Sequence, residues 1–166
     1  FNENIRSWDV GAVTNMERTF KGCEAFNQDL SAWNVSEVTS MERLFEGAKD
    51  FNEDIRSWDV GAVTNMERTF KGCEAFNQDL SAWNVSNVTS MEGLFEGAKD
   101  FNENIRSWDV GAVTNMERTF KGCEALKQDL SAWNVSNVTS MERLFEGAKD
   151  FNEDIRSWDV GAVTNM

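Results

Sequence analysis

The string SWDVGAVTNMERTFKGC stands at Ser7, Ser57 and Ser107, letter for letter. Between its copies, at Ala32, Ala82 and Ala132, runs a looser relative, AWNVSEVTSMERLFEGA or a near variant. The period is therefore 25 residues, in two alternating flavours. Odd units begin at Phe1, Phe51, Phe101 and Phe151, even units at Phe26, Phe76 and Leu126. Each unit carries an apolar set such as Phe1, Ile5, Trp8, Val10, Val13, Met16, Phe20 and Cys23. The even counterparts are Phe26, Leu30, Trp33, Val35, Val38, Met41, Phe45 and Ala48. One unit of this length cannot bury eight such side chains alone. A stack of units can, because each covers its neighbour. Repetition is thus a packing instruction: residues 1–166 read as a single repeat domain of coils starting at 1, 26, 51, 76, 101, 126 and 151.

Within a unit the apolar spacing changes. Trp8 and Val10 are two apart, which places both on one face of a short strand near 7–10, with Ser7, Asp9 and Gly11 facing out. After Val13, the strings TNME (Thr14 to Glu17) and TSME (Thr39 to Glu42) fit a capping box. Met16, Phe20 and Cys23 then follow at helical spacing, and Gly22 and Gly47 sit where a left-handed C-cap belongs. The expectation is a helix of two turns near 15–21. Asn2 and the position shared by Asn4 and Asp29 read as turn residues bonded to local backbone. The predicted fold is a right-handed α/β solenoid with one parallel strand and one helix per repeat.

The pattern L-x-x-W-x-V-x-x-V, read from Leu30, resembles L-x-x-L-x-L-x-x-N of leucine-rich repeats, with Val13 and Val38 where the ladder Asn would stand. VTNMERTFKGCEAF is similar to the pattern of BspA-like leucine-rich repeats. FNQDLSAWNVSNVTSMEGLFEGA, from Phe76, resembles more closely a bacterial surface protein repeat of about 25 residues, found in mycoplasma lipoproteins. The resemblance covers the whole chain. It implies an extracellular or cell-surface location and a role in adhesion or interaction, and it carries no catalytic residue across.

Composition narrows the partners. The net charge is −13, with no basic stripe, so a phosphate backbone and an anionic membrane surface are disfavoured. No apolar run approaches the ~18 residues of a membrane span. No signal peptide is read, and the chain opens on Phe1 and stops at Met166 partway through a unit, as a piece of a longer protein would.

Candidate residues recur once per coil or every second coil. The seven Trp residues, 8, 33, 58, 83, 108, 133 and 158, read as a core ladder rather than a sugar-stacking strip, because they share the inward period of Val10. Asp9, Asn34, Asp59, Asn84, Asp109, Asn134 and Asp159 form an outward row. Alternating Asp with Asn relieves repulsion between stacked carboxylates. It also supplies calcium poorly, since that ion wants six to eight clustered oxygens. Cys23, Cys73 and Cys123 read as small buried filler, their slot being taken by Ala48, Ala98 and Ala148 in even units. With no His in the chain, none of them has an obvious general base. Thr14 and Thr39 read as N-caps rather than an ice-binding ladder. N-x-[ST] sequons stand at Asn34, Asn84, Asn87, Asn134 and Asn137.

These features predict a non-enzymatic cell-surface interaction module that binds a protein or glycan through the outward row. The alternative is a structural spacer or filament-forming unit without a specific ligand, associating end to end. Repetition gives equivalent groups, whereas acid, base and nucleophile need different environments. No cofactor, metal, nucleic acid or membrane insertion is expected.

Overall fold

The computed structural model describes residues 4–166, so the readings made for Phe1 and Asn2 lie outside the described residues. Each 25-residue unit closes one layer, and residue i lies beside residue i + 25 of the next. Parallel bridges Asn15–Ser40, Ser40–Asn65, Asn65–Ser90, Ser90–Asn115, Asn115–Ser140 and Ser140–Asn165 mark that register from one end to the other.

The α/β solenoid is corrected. Among the described residues no helix forms, and the only β pairing is these isolated bridges. The leucine-rich-repeat reading falls with it, since its strand slot holds no strand. The reason lies in the hydrogen bonds. Within a layer they close turns of four residues: Trp8 N–H to Ile5 C=O at 3.0 Å, Val13 to Val10 at 2.9 Å, Lys21 to Arg18 at 3.1 Å and Cys23 to Phe20 at 3.1 Å. A helix needs bonds reaching four residues back. It also cannot pass through Arg18, whose φ of 57° is left-handed, or through Arg43, Arg68, Arg118 and Arg143, at 53–55°. Every second amide between these turns points instead to the next layer: Met16 to Ser40, Arg18 to Glu42, Phe20 to Leu44 and Gly22 to Glu46, at 2.7–3.0 Å. The spacing of Met16, Phe20 and Cys23 thus comes from a run of turns. Thr14 is no N-cap; its carbonyl accepts the amide of Thr39 at 2.8 Å and the Thr39 hydroxyl at 3.1 Å.

The alternation around Trp and Val does hold. Val10 is buried while Ser7 and Asp9 are exposed. Yet turns 5–8 and 10–13 close both sides of this stretch, and no ladder of backbone bonds forms across it. The indole supplies the link to the neighbouring layer. Trp33 Nε1 donates to Ile5 C=O at 3.0 Å, Trp58 to Leu30 at 3.1 Å and Trp83 to Ile55 at 3.2 Å; Trp108, Trp133 and Trp158 repeat the bond at 3.0–3.1 Å. Each of these carbonyls also accepts the turn amide of its own layer's Trp.

Two aromatic columns fill the centre. Phe20, Phe45, Phe70, Phe95, Phe120 and Phe145 follow one another at 5.6–5.9 Å. Phe26, Phe51, Phe76 and Phe101 stack beside them at 5.9–6.1 Å. Such near-parallel stacking of large rings brings extensive apolar surface into contact between layers. The two flavours of unit are complementary here. Thr69, fully buried in an odd layer, donates to Met41 C=O of the preceding even layer at 3.0 Å. Cys73 in the same odd layer directs its thiol at Phe45 C=O, 3.1 Å away. Thr119 and Cys123 repeat both contacts, with Met91 and Phe95. The even layers place Leu44 and Ala48 at those slots, buried and without a donor.

In the units that follow the first, the asparagine of the opening doublet bonds between layers. Asn27 Oδ1 accepts the amide of Asn52 at 2.9 Å; Asn52 does the same for Asn77, Asn77 for Asn102 and Asn102 for Lys127, at 2.8–2.9 Å. This asparagine ladder runs between layers and ends at Lys127, which has no side-chain acceptor. Lys127 instead pairs with Asp150 at 3.0 Å on the surface. Lys127→Asn is expected to extend the ladder to the amide of Asn152. It should raise the unfolding free energy by about 1 kcal/mol, one hydrogen bond less a weak exposed ion pair. A urea midpoint unchanged or lowered, at equal slope, would contradict this.

Candidate functional site: the exposed faces of the stack

The outward row lies where alternation predicts. Asp9, Asn34, Asp59, Asn84, Asp109, Asn134 and Asp159 are all exposed, one in every layer. Each also closes a corner. Oδ1 of Asp9 accepts the amide of Gly11 at 3.1 Å, and Asp59, Asp109 and Asp159 hold Gly61, Gly111 and Gly161 at 3.0 Å. Asn34, Asn84 and Asn134 accept from Ser36, Ser86 and Ser136 at 3.2 Å. Asp and Asn suit this position because a short side chain can reach its own backbone two residues on. One carboxylate oxygen of every second layer is left facing solvent.

Two further corners use the same device. At the fourth position Asp29 holds Ser31 at 2.9 Å, Asp54 holds Arg56 at 3.0 Å and Asp79 holds Ser81 at 2.9 Å. At the fifteenth, Asn15, Asn65 and Asn115 hold Glu17, Glu67 and Glu117 at 2.7–2.9 Å. At the fourth position, where the acceptor is a carboxylate, these bonds favour the charged form. The Ser81 hydroxyl and amide hold the Asp79 carboxyl below its ordinary range, and the amide and guanidinium of Arg56 do so for Asp54.

Behind the fifteenth position runs a column of opposite charges. Arg18 meets Glu17 at 3.1 Å and Glu42 of the next layer at 3.6 Å; Arg43 meets Glu42 at 3.4 Å and Glu67 at 3.8 Å. Arg68 pairs with Glu67 and Glu92, and Arg118 with Glu117 and Glu142. Glycine takes the arginine's place at Gly93, so no guanidinium bridges Glu92 and Glu117. Burial, followed by the Glu92 charge, pushes the Glu67 carboxyl up.

Other candidates are absorbed by the packing. Trp33, Trp58, Trp83, Trp108 and Trp133 are 3–5% exposed, as a core ladder requires, while Trp8 in the first layer is 50% exposed and Trp158 in the last is partly buried. Cys73 and Cys123 are buried free thiols, and burial pushes their ionisation far up; Cys23 is free and half-buried. Asn87 and Asn137, within sequons, donate their amides to Gly61 and Gly111 C=O at 2.8 and 2.7 Å. Among the described residues no three or more His, Cys, Asp and Glu side chains gather as metal ligands would. None of the helices that could cross a membrane is present among them either, since no helix forms.

These features define a layered repeat protein, its exposed faces built from the same few groups in every layer. The chain belongs to the family described as Mycoplasma protein of unknown function, DUF285, whose model matches residues 1–105 and again 66–166. No curated protein matches it.

Proposed function

We propose that the chain is a non-enzymatic interaction module of a cell surface, which presents its outward row to a protein or glycan. The single observation that carries this reading is the row itself: one exposed Asp or Asn in every layer, in a fixed register, with a solvent-facing oxygen or amide left after each corner is closed. A weak contact repeated along such a row gains strength through multivalency, without any one deep pocket. The finer kinship, to bacterial surface repeats of about 25 residues, supports an extracellular location.

A second reading is a structural spacer, and one observation favours it. Oδ1 of every residue in the row is spent on the backbone of its own corner, as structure alone would require. A glycan and protein array probed with the full chain separates the two. The interaction reading expects array signals that weaken at least tenfold when Asp59 and Asp109 are both changed to Asn, a substitution that keeps the corner acceptor and removes only the charge. Signals that ignore the double substitution, or none above background, would leave the spacer.

A further inference from the structure

The corner beside the outward row alternates in a way that its own turns do not require. Two residues after Asp9, Asp59 and Asp109 stand Gly11, Gly61 and Gly111; two after Asn34, Asn84 and Asn134 stand Ser36, Ser86 and Ser136. Both kinds of corner close with the same bond, from the amide of the later residue to Oδ1 of the earlier, at 3.0–3.2 Å. The even layers thus show that the corner accepts a Cβ. None of these three glycines lies in the left-handed region either, so the backbone does not call for glycine. What glycine provides is space. A Cβ at Gly61 would stand 3.2 Å from Asp59 Oδ1 and 3.5 Å from Asn84 Nδ2, and Gly11 and Gly111 repeat the arrangement. A notch therefore opens in these odd layers, between the carboxylate and the amide of the next layer.

We propose that the outward row docks a polyproline II segment of a separate protein, with a lysine or arginine at every third residue; this rests on reading the row as an interaction surface and names its partner. Register selects that conformation. Neighbouring layers bridge as adjacent parallel strands do, so carboxylates two layers apart stand about 9.6 Å from one another. A polyproline II helix rises about 9.3 Å in the three residues of one turn. One of its faces stays in step with Asp9, Asp59, Asp109 and Asp159, with an offset of about 1 Å over the whole row, which a flexible lysine stem absorbs. An extended strand returns to the same face every ~6.6 Å and falls out of step at once. An α-helix returns every ~10.5 Å and slips by nearly 3 Å, roughly three times as far. Charge selects the side chains. Each odd layer leaves a carboxylate oxygen in solvent once its corner is closed, on a chain of net charge −13, and this draws a cationic partner. Between the carboxylates, Asn34, Asn84 and Asn134 spend Oδ1 on their corners, while Nδ2 donates to no group among the described residues. The carbonyls of a polyproline II backbone, which makes no internal hydrogen bonds, accept these amides. The notch over each glycine receives the stem of the cationic side chain on its way to the carboxylate.

The test is fluorescence anisotropy, at low ionic strength, of a labelled peptide of four Lys-Pro-Pro triplets titrated with the full chain. Saturable binding is expected, at least tenfold tighter than for a peptide of the same composition with its lysines in one block. Gly61→Ser with Gly111→Ser, which copies the even corner, should weaken binding at least tenfold while the urea midpoint and the indole fluorescence stay native. Asp59→Asn with Asp109→Asn, which keeps both corners closed, should do the same. Equal affinity for the two peptides, no binding, or binding indifferent to either pair of substitutions would overturn the proposal. The arrays judge the row itself separately: signals on neutral glycans that fall with the two aspartates would uphold the row, assign it a glycan and overturn the polyproline partner alone.

Discussion

Trp83→Ala is expected to lower the unfolding free energy by about 3–5 kcal/mol, the range for deleting a large buried aromatic side chain. Three losses combine. The ring is 4% exposed, so its removal leaves a cavity in mid-stack. It lies parallel to Trp58, 6.5 Å away with a 5° interplanar angle, and tilted against Phe70 at 6.1 Å. Its Nε1–H bridges to Ile55 C=O at 3.2 Å in a stretch where no backbone bond crosses between layers. Trp83→Phe separates these contributions: it keeps most of the ring and loses the donor. Because Ile55 C=O still accepts the Trp58 amide, that variant should cost only about 1–2 kcal/mol. Urea unfolding of both variants checks the order. A Trp83→Ala loss under about 1 kcal/mol would show that the ladder is not core.

Gly97→Val is expected to cost about 2–3 kcal/mol. Gly97 has φ of 74° and its amide donates to Lys121 C=O at 2.7 Å, so the backbone cannot relax without breaking an interlayer bond. A β-branched residue in that left-handed conformation is strained. The column does not add a clash at Cβ: a Cβ at Gly97 would stand 3.7 Å from the Gly72 Cα, an ordinary contact that recurs at Gly47, Gly72, Gly122 and Gly147, so the cost is conformational. The arginines at 53–57° show by contrast that an unbranched side chain occurs at positive φ in this chain. Urea unfolding should show Gly97→Ala between wild type and Gly97→Val; equal stability of all three would remove the conformational argument.

The inward set was legible in the sequence because apolar periodicity reports burial, whatever the backbone does. Val10, Met16, Phe20, Phe26 and Leu30 are buried as expected, and so is the Trp ladder away from the ends. The backbone was not legible. Thr14, Met16, Glu17, Phe20 and Gly22 carry the spacing of a capped helix. Yet a turn that pairs i with i + 3 spaces its inward residues almost as a helix does, and only the left-handed Arg18 separates the two. Arginine is an unusual residue at positive φ, so composition gave no warning. The outward row was located correctly from period two, but its use in closing corners was not foreseen. The signal was present: Asp or Asn stands two residues before Gly or Ser in every unit, a spacing suited to side-chain turns. The asparagine ladder was hidden for a different reason. Leucine-rich repeats put their ladder Asn at the ninth slot, where this chain has Val13 and Val38, and the Asn that bridges layers stands in the opening doublet.

The complementarity of odd and even layers has a genetic consequence. An unequal exchange that adds or deletes fifty residues restores every seam, since Thr and Cys again meet the carbonyls of an even neighbour. An exchange of twenty-five sets like against like. Where two odd layers meet, Lys faces Lys in place of Glu; where two even layers meet, Glu46 and Glu96 face each other without Lys71, which stands between them. Such a gene can drift in length by pairs of units without loss of fit, and is penalised for every single step.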